Sequence, residues 1–277
     1  MGTLYLVATP IGNLEDITLR ALRILREVRL IAAEDTRVTR RLLDRYQIHT
    51  PMVSYHEHNK LARLDEVLQA LAEGDVALVS DAGTPGLNDP GFELVRAALA
   101  AGFSVSPVPG PAAPVAALVG SGLPTDRFLY LGYLHRKSSQ RRQSLSEVQT
   151  LPYTMIFLET PHRLVEALED LRDVLGDRPA VAAREITKLH EEFIRGTLSS
   201  LLEYFQMHEP RGEFVLVVGG AQPEETAWNE ERVRQTLLEM LKEGQPGSVA
   251  VEVVSGRAGW RKNRVYRLLM EMKQSKI

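Results

Sequence analysis

The polar residues of this chain that could do chemistry gather in short loops directly after apolar runs. Ser80-Asp81-Ala82-Gly83-Thr84-Pro85 leaves the run Val76-Ala77-Leu78-Val79 and passes through Gly86-Leu87-Asn88-Asp89-Pro90-Gly91 into a helical pattern at residues 92–99. A short continuous apolar run reads as a parallel strand buried on both faces. The loop then lies at a strand's carboxyl end, where open α/β sheets hold their ligands. Its glycines let backbone approach a ligand closely, and its prolines fix φ. Asp81, first in the loop, could accept from hydroxyls or face a cation. Ordinary strand-to-helix turns use the same residue types, so the other loops have to decide.

Five further segments bear on the question. Thr9-Pro10-Ile11-Gly12-Asn13 follows an apolar run at residues 3–8, and Pro109-Gly110-Pro111-Ala112-Ala113-Pro114 follows one at 105–108. The second is a rigid turn with little side-chain bulk, a surface suited to a flat ligand or simply to a join between domains. Charges stand at two other strand ends, Glu34-Asp35-Thr36-Arg37 and Arg184-Glu185-Ile186-Thr187-Lys188. The first of these reads foremost as a helix cap with solvated charges. His56-Glu57-His58 reads as a polar loop, because two histidines one residue apart lack the further ligands a metal would need.

These loops need a scaffold, and the apolar spacing supplies one. Strands are expected at residues 3–8, 30–33, 52–55, 76–79 and 105–108, then at 128–131, 153–158, 180–183 and 213–218. Between them, series such as Leu61, Leu64, Leu68, Leu71 and Leu164, Leu168, Leu171, Leu175 recur at helical spacing. Alternation of this kind is the α/β class. The expected division is an α/β domain at 1–113, a second at 114–222 and a helical tail at 223–277. Residues 222–226 read as a linker, and residues 248–254 are open between helix and strand.

The 277 residues are 44% hydrophobic and 25% charged, an ordinary globular balance. With no cysteine, disulfides, thiolate metal sites and a cysteine nucleophile are excluded. The three-glycine dinucleotide fingerprint and the Gly-Lys-Ser/Thr phosphate loop are both missing, which argues against those cofactor classes. No signal-peptide pattern and no bilayer-length apolar stretch are present, so the expected location is the cytoplasm. The net charge of −3 hides a local asymmetry. Arg257, Arg261, Lys262, Arg264 and Arg267 crowd the carboxyl end beside an apolar stripe of Val265, Leu268, Leu269 and Met272. A small helix-turn-helix unit with a basic second helix suits a nucleic-acid backbone. A second basic segment, Arg136-Lys137 through Arg141-Arg142, lies in the middle of the chain.

Taken together, Thr9-Pro10-Ile11-Gly12-Asn13, Ala33-Glu34-Asp35-Thr36-Arg37, Ser80-Asp81-Ala82-Gly83-Thr84-Pro85, Pro109-Gly110-Pro111-Ala112 and Arg184-Glu185-Ile186-Thr187-Lys188 resemble the ribosomal RNA small subunit methyltransferase I group of the tetrapyrrole-methylase superfamily. The resemblance covers essentially the whole chain. It implies the two-domain tetrapyrrole-methylase-like α/β fold with a cofactor cleft between the domains, followed by a small helical domain. It also implies S-adenosylmethionine as cofactor, a homodimer, and 2′-O-methylation of a cytidine ribose in the decoding region of 16S rRNA. The cofactor positions it implies are Pro10, Asp81, Ala82, Gly83, Thr84, Ala112, Ala113, Leu158, Ala183 and Glu213. Tetrapyrrole enzymes carry Gly-Pro-Gly in the first turn where this chain has Thr-Pro-Ile-Gly-Asn, a departure that suits the RNA branch.

Methyl transfer from a sulfonium needs no metal, only in-line alignment and help with the hydroxyl proton. In that chemistry Glu185 could be the base, with Arg184 or Lys188 stabilising an oxyanion or holding a phosphate; a structural ion-pair cluster is the alternative. Two other functions stay open, a porphyrinoid methyltransferase and a non-catalytic RNA-binding factor that keeps the cleft.

Overall fold

The apolar runs become strands because helices cover them on both faces. The computed structural model describes residues 2–222 and 228–274. Its first sheet is all parallel, in the order β3-β2-β4-β1-β5, with β1 at Thr3–Val7, β2 at Leu30–Ala33, β3 at Met52–Ser54, β4 at Val76–Val79 and β5 at Ser104–Val108. Every residue of β4 is buried. Ala77 and Val79 pack with α1 (Leu19–Glu27) and α2 (Thr36–Arg45), while Val76 and Leu78 pack with α3 (Lys60–Glu73) and α4 (Phe92–Ala100). Period-two alternation thus feeds two cores, one on each side. The first helix starts where Thr18 accepts a hydrogen bond from the Ala21 N–H at 3.1 Å.

The second sheet has the order β6-β7-β10-β8-β9, and it is mixed. Strand β6 (Phe128–Tyr133) runs parallel to β7 (Thr154–Glu159). Strand β10 (Phe214–Val218) is antiparallel to both β7 and β8 (Pro179–Arg184), and β8 is antiparallel to β9 (Glu192–Thr197). One face carries a core with α6 (Ser138–Val148), α7 (Leu164–Leu175) and α8 (Leu198–Met207). The other is covered by α5 (Ala113–Ser121) through Ala117 and Leu118. Strand β9 and helices α6 and α8 were not expected from the sequence. In β9 the residues stay half-exposed or exposed at this sheet edge, so no continuous apolar run marks it.

The chain forms two compact units, Met1–Ala221 and Gln222–Ile277, and both sheets fall within the first. The second holds α9 (Glu230–Lys242), α10 (Gly247–Ala258) and α11 (Lys262–Gln274). They close around Val233, Leu237, Val254, Val265 and Leu269. Residues 248–254 are helical because Ala250, Val251 and Val254 share the face turned to this core, and packing there outweighs the β-preference of valine. Residues 223–226 of the expected linker lie outside the described residues. Among the described residues no helix is long and apolar enough to cross a membrane.

Candidate active site

In the strand order β3-β2-β4-β1-β5 the direction of winding changes beside β4 and β1, and the loops leaving these two strands are tied together. The Thr9 N–H donates to the Gly83 carbonyl at 2.8 Å, and the Gly83 N–H returns a bond to the Thr9 carbonyl at 3.0 Å. Gly83 takes a left-handed φ of 79° there, open to glycine without strain. The Thr84 hydroxyl donates to the Pro111 carbonyl at 3.3 Å, which adds the loop after β5. At Gly110 a Cβ would meet the Ala8 Cβ at 3.0 Å, so that loop lies close against the end of β1. The loop after β2 joins through carboxylates. Asp81 accepts from the Asp35 N–H at 2.9 Å, and the Asp81 N–H donates to Glu34 Oε2 at 3.1 Å.

These loops face the strand ends of the second sheet across a cleft of about 260 Å³. From the first half the walls are Ile11, Glu34, Asp81–Thr84, Leu87–Asp89 and Ala112–Pro114; from the second, Tyr130, Tyr133, Leu158, Glu159, Glu185, Ile186, Lys188 and residues 213–215. Three close approaches join the halves. A Cβ on Gly12 would strike the Lys188 side chain, and the Asn13 N–H donates to Thr187 Oγ1 at 3.1 Å. Likewise a Cβ on Gly132 would come within 2.6 Å of Asn88 Nδ2.

Carboxylates line both sides of the cleft, but they are engaged differently. On the first-sheet side burial raises the pKa of Glu34, Asp81 and Asp89, and Asp89, with the Glu34 and Asp81 charges beside it, is pushed up to about 6. On the other side Lys188 Nζ bridges Glu185 Oε1 at 3.0 Å and Glu213 Oε2 at 3.1 Å. Partial burial alone would depress Lys188, but these two hydrogen bonds hold it above the usual lysine range. Glu185, against its own burial, is held below the usual carboxylate range by Lys188 and by the Glu213 N–H. Glu159 is fully buried, its oxygens taken by the Thr160 N–H at 2.8 Å and Arg163 Nη2 at 3.0 Å.

Of the residues singled out from the sequence, Asp81, Ala82, Gly83, Thr84, Ala112, Ala113, Leu158, Glu185, Lys188 and Glu213 share this cleft. Pro10 is buried behind the first turn, where Ile11 makes the wall. Ala183 is fully buried inside β8, and Arg184 turns to Glu192 on β9 at 2.8 Å. Neither lines the cleft. Asp35 is the cap expected there, accepting from the Arg37 N–H at 2.8 Å, while its neighbour Glu34 reaches the cleft. Sequence reasoning missed Asp89, Tyr130 and Tyr133 as wall residues. Asp89 stood in the quoted loop, directly after Asn88 at a φ of 62°, and no spacing reveals that it lines the cleft.

One expectation is corrected outright. Arg141 is 1% exposed, with Nε 2.6 Å from Asp170 Oδ2 on α7, so it is a core ion pair and not an RNA contact. Arg142 is shared between Asp170 and Asp173 at 3.0 and 3.1 Å, whereas Arg136 and Lys137 are exposed. In the helical unit Arg257, Arg261, Lys262, Arg264 and Arg267 are all exposed. Arg264 lies over the Trp260 ring at 3.6 Å from its centroid, and Lys262 pairs with Glu252 at 2.8 Å.

A cleft with small residues at Ala82, Gly83, Ala112 and Ala113, an apolar wall at Leu87 and Leu158, and carboxylates on both sides fits a molecule combining a flat heterocycle, hydroxyls and a cationic centre. The family model of the Tetrapyrrole (Corrin/Porphyrin) Methylases matches residues 3–202, and the chain belongs to that family. It is a methyltransferase, and S-adenosylmethionine is its methyl donor, a group whose adenine, ribose and sulfonium the cleft suits. Its curated relatives narrow the branch. Ribosomal RNA small subunit methyltransferase I of Synechocystis sp. is 47% identical over 98% of this chain and 99% of its own. The protein of the same name from Pseudomonas aeruginosa is 47% identical over 98% and 97%. Among solved structures, uroporphyrin III C-methyl transferase from Thermus thermophilus has the same fold, with a TM-score of 0.56 at 22% identity over 79% of this chain and 97% of that one.

Proposed function

We propose that this chain methylates the ribose 2′-oxygen of a cytidine in the decoding region of 16S rRNA, acting as a cytoplasmic homodimer on the small ribosomal subunit. The observation that carries the reading is a cleft walled by small residues and carboxylates, in which Lys188 is the cation among the lining residues and is held between Glu185 and Glu213. When bound, the cofactor supplies an electrophilic methyl group. The chain's own residues then bind and orient. Asp81, Ala82, Gly83, Thr84, Ala112 and Ala113 hold the cofactor together with Leu158 and Glu213, and Lys188 stabilises the developing oxyanion or a neighbouring phosphate. Glu185 keeps Lys188 in place; its depressed pKa makes it a weak base. Arg184, engaged by Glu192, is left out of the chemistry.

The exposed arginines of the helical unit, with Arg136 and Lys137, hold RNA phosphates in this reading. Exposed Phe92 and Leu99 on α4 and Val115 and Val119 on α5 offer apolar surface that a second copy could cover. Methyl incorporation from labelled S-adenosylmethionine into small subunits lacking the modification tests the function, with a porphyrinoid substrate alongside. Label at a cytidine 2′-oxygen is the expected result; label in the porphyrinoid, or in neither, overturns it. Titration calorimetry of Asp81→Ala tests the cofactor site, with affinity expected to fall at least tenfold. Unchanged affinity would remove Asp81 from it.

A further inference from the structure

The carboxylates of the cleft differ in how they are engaged. Glu185 and Glu213 share Lys188, and Glu159 is occupied by Arg163 and the Thr160 N–H. Glu34 accepts from the Asp81 N–H, and Asp81 from the Asp35 N–H. Asp89 lines the same space, half-buried beside Ser80, whose hydroxyl is directed to the Ala82 and Gly83 carbonyls, and among the described residues no cation is paired with it. Its loop is stiffly built. Asn88 at a φ of 62° and Gly91 at 153° bracket it, and the Asn88 side chain is seated against Gly132 of the second sheet. Ionisable groups face it from three elements: Glu34 at the end of β2, Asp81 after β4, and the phenols of Tyr130 and Tyr133 on β6. All are acids.

We propose that Asp89 is the proton acceptor of the transfer, taking the proton of the attacking ribose hydroxyl; this rests on the ribose-methylation reading above. The hydroxyl oxygen forms its bond to the methyl carbon while the carbon–sulfur bond breaks with its electron pair going to sulfur. The sulfonium charge is thereby neutralised, and the hydroxyl proton passes to the Asp89 carboxylate and from there to water. A carboxylate lifted to about 6 is ionised at neutral pH yet more basic than an ordinary aspartate, the compromise general-base catalysis favours. Glu185, bound to Lys188, lacks that basicity.

The test measures turnover of labelled methyl into unmodified small subunits against pH, with the full-length wild type, Asp89→Asn and Glu34→Gln. Cofactor affinity is followed by calorimetry in parallel. Wild-type turnover should rise with pH through a midpoint near 6 and then level off. Asp89→Asn should keep cofactor affinity, lose that limb and drop by about a hundredfold or more. Glu34→Gln removes a neighbouring negative charge and should move the midpoint of the limb to lower pH. A wild-type limb retained in Asp89→Asn, an unmoved midpoint in Glu34→Gln, or a loss of cofactor affinity that accounts for the whole defect overturns the assignment. Absence of wild-type incorporation at every pH overturns the ribose-methylation reading itself, a result distinct from normal incorporation with an unchanged profile in the variants.

Discussion

Lys188 owes its position to two residues with unusual backbone. Glu185 and Thr187 both take left-handed φ, 50° and 65°, at a cost of about 1–2 kcal/mol each for a residue with a Cβ. Hydrogen bonds offset this. The Glu185 N–H donates to the Glu213 carbonyl at 3.2 Å, and the Thr187 N–H to Glu191 Oε2 at 2.7 Å. The turn thus presents Lys188 to the cleft with both its carboxylate partners in place. Lys188→Met should lower single-turnover methyl transfer about a hundredfold with cofactor affinity retained, the scale of losing one charge-stabilising donor. Glu185→Gln, which can still accept from the Glu213 N–H, should lower it about tenfold. Calorimetry beside the rate assay decides: weakened cofactor binding in both variants would move the pair into the cofactor site. Because the folded pKa of Glu185 lies below the ordinary 4.5, its ion pair is present at neutral pH and is lost only as pH falls below that value. An acid limb near 6 is therefore not set by Glu185, and its loss in Asp89→Asn is what would assign it to Asp89.

Helix α6 shows how neighbouring charges part company. Arg141 and Arg142 are adjacent, yet the helical turn sends the first into the core against Asp170 and leaves the second at the surface. Asp170 is itself buried and also accepts from the Ser138 hydroxyl at 2.8 Å, so the pair closes the contact between α6 and α7. Removing Arg141 leaves the buried Asp170 carboxylate with Arg142 and the Ser138 hydroxyl alone and empties the core position of the guanidinium. Arg141→Met should cost about 3–5 kcal/mol in urea unfolding, while the RNA affinity of the folded protein stays as it was. Arg136→Gln with Lys137→Gln should leave stability within about 0.5 kcal/mol and weaken RNA binding. A stable Arg141→Met that loses RNA affinity would return Arg141 to the interface.

At the scale of the molecule, the helical unit closes its own core around Val233, Leu237, Val254, Val265 and Leu269. The buried residues of the sheets' cores all belong to the first unit. Truncation after Gln222 should leave a folded protein with full cofactor affinity. Its binding to small subunits should weaken, and each lost phosphate contact should remove about 0.7–0.9 from the slope of log affinity against log salt. Affinity and slope unchanged on truncation would make the tail a packing or dimer element and leave the RNA to Arg136 and Lys137.

Much of this protein is legible without coordinates. Strand β4 and the start of its helix are written in the runs 76–79 and 92–99, because a parallel strand buried on both faces must be continuously apolar and a loop at its end must be built from turn residues. The same logic marks the loops after β1 and β5 and the apolar stripe of α11. The direction of β10 is not written that way, since burial on both faces looks alike for parallel and antiparallel pairing. Nor is β9, whose half-exposed edge position breaks the pattern. Tertiary structure alone decided which charges meet. Arg141 and Asp170 stand 29 residues apart, and Lys188 and Glu213 stand 25 apart. Asp89 gains its acidic company from the end of β2 and its loop anchor from the second sheet. A side chain's chemistry here is set by desolvation and by charges within a few ångströms, and those distances exist only once the chain has closed on itself.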